Sequence, residues 1–302
     1  MNIIVSEDTR IKKLSIEKDM PFSNMLWGYM VDDLLQRLYT SEYQKFFWLA
    51  NPEGVGLTAY RDGKEHILRF VYCKSEKKVY GESHCPGQPL SEPLLNYFME
   101  QVIFTGNRAG IQWEGSVQWE EEEAVLQLTG TYDVMKVPIR VSIQTVDAKD
   151  AFSEPHPYEA LTTGHPVILQ IYSVENTLCK NLNEILYKLE LISDMSCYEK
   201  VNQILKKEAI SGRRVLEQFL KLHTYDEKFY VEKRMTQLLS YGDYSYMRKR
   251  WEQLGRKKGV SLEPWETVVN RLGKFLAPIW EALCKKEVFF DDWMPELQRY
   301  LG

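Results

Sequence analysis

The chain has 302 residues, 44% of them hydrophobic and 27% charged, with a net charge of −5. That is the make-up of an ordinary globular protein, long enough for two domains, and the acidic balance gives no general push towards nucleic acid or membrane. The opening MNIIVSEDTRIKK has no cationic start followed by an apolar run, so it does not read as a signal peptide, and no apolar segment approaches membrane-spanning length. The five cysteines, Cys73, Cys85, Cys179, Cys197 and Cys284, form no C-x-x-C. They read as free thiols in a reducing compartment, which places the protein in the cytoplasm.

In chain order, residues 7–18 predict a short charged helix. PFSNMLWGYMVDDLLQRLYTS follows, with Phe22, Met25, Leu26, Tyr29, Met30, Leu34 and Leu38 at spacings of three and four. This predicts a long amphipathic helix capped by Ser23, with Asp32 and Asp33 as a solvated pair on its exposed face. Asn51, Pro52 and Gly54 break the chain after an aromatic run. From residue 55 to 146 the sequence favours strands: VGLTAY, HILRFVYC, KKVYGE, IQWEGSVQW, AVLQLTG and KVPIRVSIQTV. One helix, SEPLLNYFMEQVIFT, interrupts them, with Pro93 in its first turn. The acidic run Glu120–Glu123 reads as a solvated hairpin tip.

Residues 147–165 read as a polar loop containing prolines, and PVILQIY as a buried strand. Ser173 to Leu205 then predicts two helices. Val174, Leu178, Leu182, Ile185, Leu186 and Leu189 stripe the first, which Ser173 caps; Tyr198, Val201, Ile204 and Leu205 stripe the second. From there the chain reads as helical to its end, with a capping box at Thr224-x-x-Glu227. The division falls near residue 172: an α+β domain over 1–172 and a helical domain over 173–302.

Familiar chemistry is missing. The sequence holds no P-loop, no G-x-G-x-x-G after a strand, no H-E-x-x-H and no G-x-S-x-G. Its five histidines are dispersed, and no metal site is expected. Asp147 with Asp150, and Asp291 with Asp292, read as solvated pairs. The stretches KKLSIEK, RMTQLLSYGDYSYMRKRW and GRKKG are basic, and aromatics interleave in the second. An RNA- or partner-binding face and an ordinary exposed helix face both fit them, the overall acidity leaning to the second.

The order of segments carries a resemblance. YMVDDLLQRLYTSEYQKFFWLANPEG precedes the strand-rich region, PIRVSIQTVDA and a proline-bearing loop follow, and HPVILQIYSVENTLCKNLNEIL leads into the helical C-terminus. This resembles the AbiEii/AbiGii nucleotidyltransferase-like toxins of abortive-infection and toxin–antitoxin systems. The match covers most of the chain. It runs through Arg37, Leu38, Ser41, Tyr43, Phe47 and Leu49, through Ala160 to Leu169, through Tyr172, Ser173, Val174 and Glu175, and through GDYSYMRKRW and the helix around Phe275–Trp280. The resemblance implies an α+β fold with a nucleotidyltransferase-like mixed β-sheet, flanking helices and a C-terminal helical bundle.

The family's catalytic letters are replaced. Ala50-Asn51-Pro52 stands in place of Lys-Gly-Gly, with Gly54 and Gly56 just beyond as a displaced nucleotide-cradling loop. No Asp-x-Asp occurs in the strands, and Asp62-x-x-Glu65 has the wrong spacing to share a strand face. Ser142 stands at the later aspartate and Asn181 at the helix lysine, with Lys180 one step away. Cys197, Tyr198 and Lys200 fall near the family's last acidic motif. The resemblance with these losses implies a pseudo-enzyme that needs no cofactor and acts by binding a protein or RNA. The alternative is an active, divergent enzyme that uses Mg²⁺ and a nucleoside triphosphate to modify tRNA or protein, its site rebuilt from Asp62, Glu65, Lys180, Lys188 and Glu199. A third reading is a structural or interaction protein unrelated to the family.

Overall fold

The computed structural model describes residues 7–62, 67–75, 85–106, 110–120, 123–147, 151–161, 166–222 and 232–302. The predicted strand KKVYGE and the capping box at Thr224 lie outside them. The chain divides into two units, Met1–Tyr172 and Ser173–Gly302.

In the first unit the apolar spacing after Pro21 produces helix α2, Phe22–Tyr39. Pro21 precedes it without a side-chain cap; Ser23 is already inside the helix, where its hydroxyl donates to Asn24 Oδ1 (3.2 Å). The helix is not amphipathic in the expected sense. One side lies on a sheet and α1 (Glu7–Glu17) and α3 (Leu57–Asp62) pack on it as well, so it is buried nearly all round. Asp32 and Asp33, expected to be solvated, are 0% and 2% exposed.

Among the described residues the sheet has seven strands, in the order β3-β4-β5-β2-β1-β7-β6. They are β1 Phe47–Leu49, β2 Ile67–Lys74, β3 Ile111–Glu120, β4 Glu123–Tyr132, β5 Met135–Asp147, β6 Ser153–Glu159 and β7 Pro166–Tyr172. The β2–β5 and β1–β7 pairs are parallel and the rest antiparallel, so the sheet is mixed. Helix α4, Glu92–Phe98, is capped by Ser91 and widens into a π-helical turn over Met99–Ile103. Alternation sorts the strands: Leu68, Phe70 and Tyr72 of β2 and Ile139, Val141 and Ile143 of β5 join the core with Met25, Met30 and Leu34 of α2.

Two expectations fail here. VGLTAY contains the helix α3 rather than a strand, because Gly56 turns the chain and Tyr60 is drawn into the core against α2. The segment expected to be a proline loop contains β6. Its prolines are tolerated because β6 is an edge strand.

Two polar clusters lie inside this core. Arg37 Nε and Trp113 Nε1 both donate to Asp33 Oδ2, at 2.6 and 2.8 Å. The rest of the guanidinium caps the end of the α4 segment through the carbonyls of Ile103 (3.0 Å) and Thr105 (2.5 Å). In the second cluster Tyr60 and Tyr158 donate to Asp32 Oδ1 at 2.9 and 2.5 Å, with 2.7 Å between their hydroxyls. Burial and then the Asp32 charge push both phenols up, so both stay protonated. Gly28 makes this possible, since a Cβ there would lie 2.5 Å from the Tyr60 ring.

The second unit holds α5 Val174–Lys188, α6 Ser196–Lys207, α7 Gly212–Leu222, α8 Glu232–Ser240, α9 Ser245–Lys258 and α10 Trp265–Lys285. Ser173 caps α5, its hydroxyl accepting from the Glu175 backbone N–H (3.3 Å). The tail, expected to be helical, instead forms β9 Asp292–Met294 and β10 Arg299–Leu301, joined to β8 Ile210–Ser211. Pro295 interrupts any helix there, and Trp293 anchors the tail, its indole donating to the Leu205 carbonyl (2.9 Å) and meeting Phe275 edge-on. Together the units give an α+β chain: a mixed sheet with flanking helices, then C-terminal helices.

Just before α10, Glu263 accepts from Asn202 Nδ2 (2.7 Å) and Arg271 Nη1 (3.0 Å) and pairs with Lys206 (3.1 Å). Burial opposes its charge, but the hydrogen bonds from Asn202, Arg271 and Lys206 outweigh it and hold the carboxyl at about 2. A folded-state value below the unfolded one stabilises the fold above the ordinary 4.5, and that stability is lost as pH falls towards about 2. Acid titration followed by tryptophan fluorescence is expected to show this loss in the native chain, and Glu263→Gln to flatten it while lowering stability at neutral pH. In the first unit, Arg37→Leu strands the Asp33 carboxylate, and denaturant unfolding is expected to register a loss of about 3–5 kcal/mol.

Candidate functional site

Of the candidate residues read from the sequence, Asn51, Gly54 and Gly56 sit where β1 leaves the sheet. The Ala50 N–H donates to the Arg69 carbonyl (2.7 Å). At the next residue the Asn51 side chain takes over: Nδ2 donates to the Ile67 carbonyl (3.0 Å) and Oδ1 accepts from the Arg69 N–H (2.7 Å). Asn51 thus acts as one more backbone pair and fixes the turn.

Gly54 N–H returns to the Asn51 carbonyl (2.8 Å), and a Cβ on Gly54 would lie 2.5 Å from Asn51 Nδ2. Gly56 has φ +90°, which favours glycine, and its carbonyl accepts from the Tyr60 N–H (3.0 Å) to open α3. Both glycines serve the turn from strand to helix. Asp62 is the last residue of α3, and Glu65 lies outside the described residues.

The sheet face away from the core is set by alternation. Arg69, Val71 and Cys73 of β2 point there, beside Arg140, Ser142 and Gln144 of β5. Arg69 is in register with Ser142, and Val71 with Gln144. No acidic residue occurs in β2. The carboxylate beside Ser142 comes from Glu123 of β4, which accepts from Ser142 Oγ (2.5 Å) and from Gln144 Nε2. Glu120 pairs with Arg140 at 2.6 Å, and Asp147 at the end of β5 pairs with Lys74 at 3.0 Å.

The remaining positions lie in the second unit. Lys180 is exposed on α5. Asn181 is buried, its Nδ2 donating back one turn to the Thr177 carbonyl (2.7 Å). Lys188 pairs with Glu184 at 2.5 Å. Glu199 on α6 is buried, forms an ion pair with Lys258 of α9, and accepts from Gln203 (3.4 Å). Cys197 and Tyr198 belong to the helical core. Among the described residues no three His, Cys, Asp or Glu side chains gather to hold a metal ion, and no helix is long and apolar enough to cross a membrane.

Sequence reasoning missed Arg69 and Glu123 as neighbours of Ser142. The signal for Arg69 was present, because Leu68, Phe70 and Tyr72 fix which side of β2 is outward. Glu123 needed the β4–β5 register.

No family model and no curated protein matches the chain. Among solved structures it is similar to JHP933 from Helicobacter pylori, at 12% identity and a TM-score of 0.33, covering 88% of this chain and 96% of that one. It is also similar to a candidate nucleotidyltransferase from H. pylori, at 14% identity and a TM-score of 0.32, covering 88% and 98%. A likeness of this degree establishes neither residue correspondences nor an activity for this chain.

Asn51→Ala removes both side-chain bonds and leaves the Arg69 N–H and the Ile67 carbonyl without their partner. Denaturant unfolding is expected to show a loss of about 1–3 kcal/mol.

Proposed function

We propose that the chain is a nucleotidyltransferase-fold protein of the AbiEii/AbiGii type that has lost its chemistry. It works by holding another macromolecule, in a cytoplasmic phage-defence or toxin–antitoxin setting. The order of sequence segments described above supports the family. The observation that carries the loss of chemistry is the outward face of the β2–β5 pair.

Nucleotidyl transfer asks little covalent work of the protein. It asks for carboxylates that hold Mg²⁺ against a triphosphate, and for backbone and cationic groups that cradle the phosphates. On this face β2 brings Arg69 and no carboxylate, β5 brings Ser142 and Gln144, and Glu123 is engaged by both of those. A guanidinium in register with Ser142 repels a divalent cation, and Glu123, held by two hydrogen bonds, with Glu120 paired to Arg140, is a poor substitute for a facing set. In the second unit Asn181 is neutral and turned back on its own helix.

Calorimetric titration with ATP, GTP, CTP and UTP, each with Mg²⁺ or Mn²⁺, is expected to give no binding tighter than about 1 mM. A clear isotherm for any of them overturns the reading. Transfer of label from an α-labelled nucleotide to tRNA or protein would establish in its place an active, divergent nucleotidyltransferase.

A further inference from the structure

Helix α9 differs from the rest of this acidic chain. Arg248, Lys249, Arg250, Arg256, Lys257 and Lys258 stand on it against Glu252 alone. Two of the six are committed. Arg250 is spent on the carbonyls that end the α5 segment, those of Ile192, Ser193 (3.0 Å) and Glu190 (3.4 Å), and Lys258 on Glu199. Arg248, Lys249, Arg256 and Lys257 are all exposed and make no ion pair among the described residues. Some exposed cations in this unit fold back on acidic neighbours, as Arg213 does on Glu217 (2.9 Å) and Lys285 on Glu281, while others, such as Lys200, Lys207 and Lys274, make no ion pair among the described residues; on α9 the unpaired ones are gathered on one helix. Arg248 has Glu252 one turn away and does not pair with it.

The buried side of α9 is Met247, Trp251 and Gly255, so Lys249 and Arg256, two turns apart, share its outer face with Lys257 beside them, while Arg248 stands next to the buried side. At the start of that face Tyr244 and Tyr246 are 44% and 51% exposed, large aromatic surfaces left in water. Their ring centroids are 5.9 Å apart, and the Arg250 guanidinium, fixed by its carbonyl bonds, lies 5.5 Å from the centre of the Tyr246 ring. The aromatic platform is therefore held in place before any ligand arrives. From Tyr246 to Lys257 the helix rises about 16 Å. That matches four or five nucleotides at the roughly 3.4 Å rise of a stacked strand.

We propose that the outer face of α9 binds a single-stranded nucleic acid, with Lys249, Arg256 and Lys257 on the phosphates and Tyr244 and Tyr246 stacking against bases. Cations answer the backbone charge, and exposed rings answer bases that no partner strand has covered. A duplex hides those base faces. An acidic peptide answers the cations but leaves the tyrosines no stacking partner. The inference deepens the macromolecule-binding reading by giving it a ligand class. Its failure is separable, because triphosphate binding would end that reading and leave strand binding intact.

The test is fluorescence anisotropy on the full chain with labelled oligo(U) and oligo(dT) of about twelve nucleotides, the matching duplex and a polyglutamate peptide, at about 50 mM salt and upwards. Both single strands, or one of them, are expected to bind, more tightly than the duplex, with affinity falling linearly in log salt; the tighter of the two identifies the source as RNA or DNA. The variant K249Q/R256Q/K257Q is expected to bind at least about tenfold more weakly, with a salt slope shallower by about 0.7 for each cation that touches a phosphate. Y244L/Y246L is expected to lose about tenfold or more with its slope unchanged. Circular dichroism checks that both variants, altered only at exposed side chains, keep their helices. The proposal is overturned if neither single strand binds below about 100 μM, if polyglutamate binds as well as the oligonucleotides, or if Y244L/Y246L retains full affinity.

Discussion

The first unit depends on the bond between Arg37 and Asp33 in the middle of a buried helix. A buried ion pair returns about what its desolvation costs, so the intact pair adds little net stability. Its influence is in what it forbids. With Arg37 tied to the carbonyls that end the α4 segment and Trp113 of β3 tied to Asp33, helix, π-helical turn and strand meet in one arrangement. Any other packing of α2 leaves a charge in the core without a partner. The neighbouring Asp32 does the same for α3 and β6 through its two tyrosines, so two consecutive acidic residues index two different parts of the fold.

The helical unit reaches a comparable result with a partly exposed hub. Glu263 collects α6 and α10 through Asn202, Lys206 and Arg271, while Trp293 carries the C-terminal strands onto Phe275 and the end of α6. Both units therefore use buried or half-buried polar groups to join elements to one another.

Periodicity made most of the elements legible. The stripes of α5 and α6, the cap at Ser173 and the alternation of β2, β4 and β5 could be read directly, because each reflects a local rule. The failures came where a distant contact decided the outcome. VGLTAY alternates like a strand, but Gly56 turns the chain and Tyr60 reaches Asp32. Asp32 and Asp33 look solvated to any local rule, and only the elements surrounding α2 reveal otherwise. At the candidate site, the replacement of acidic letters by Ser142 and Asn181 was visible in the sequence. That Arg69 and Glu123 surround Ser142 depended on strand order, which no single segment encodes.

Strand β6 ends the sheet, and it carries Pro155 and Pro157. Two residues apart on an extended strand, they present their backbone nitrogens on one side. Since the ladder with β7 is formed, that side is the open one. A strand from another molecule approaching this edge would find two donors missing in succession. The segment that looked like a loop because of its prolines thus also guards the sheet against edge-to-edge aggregation.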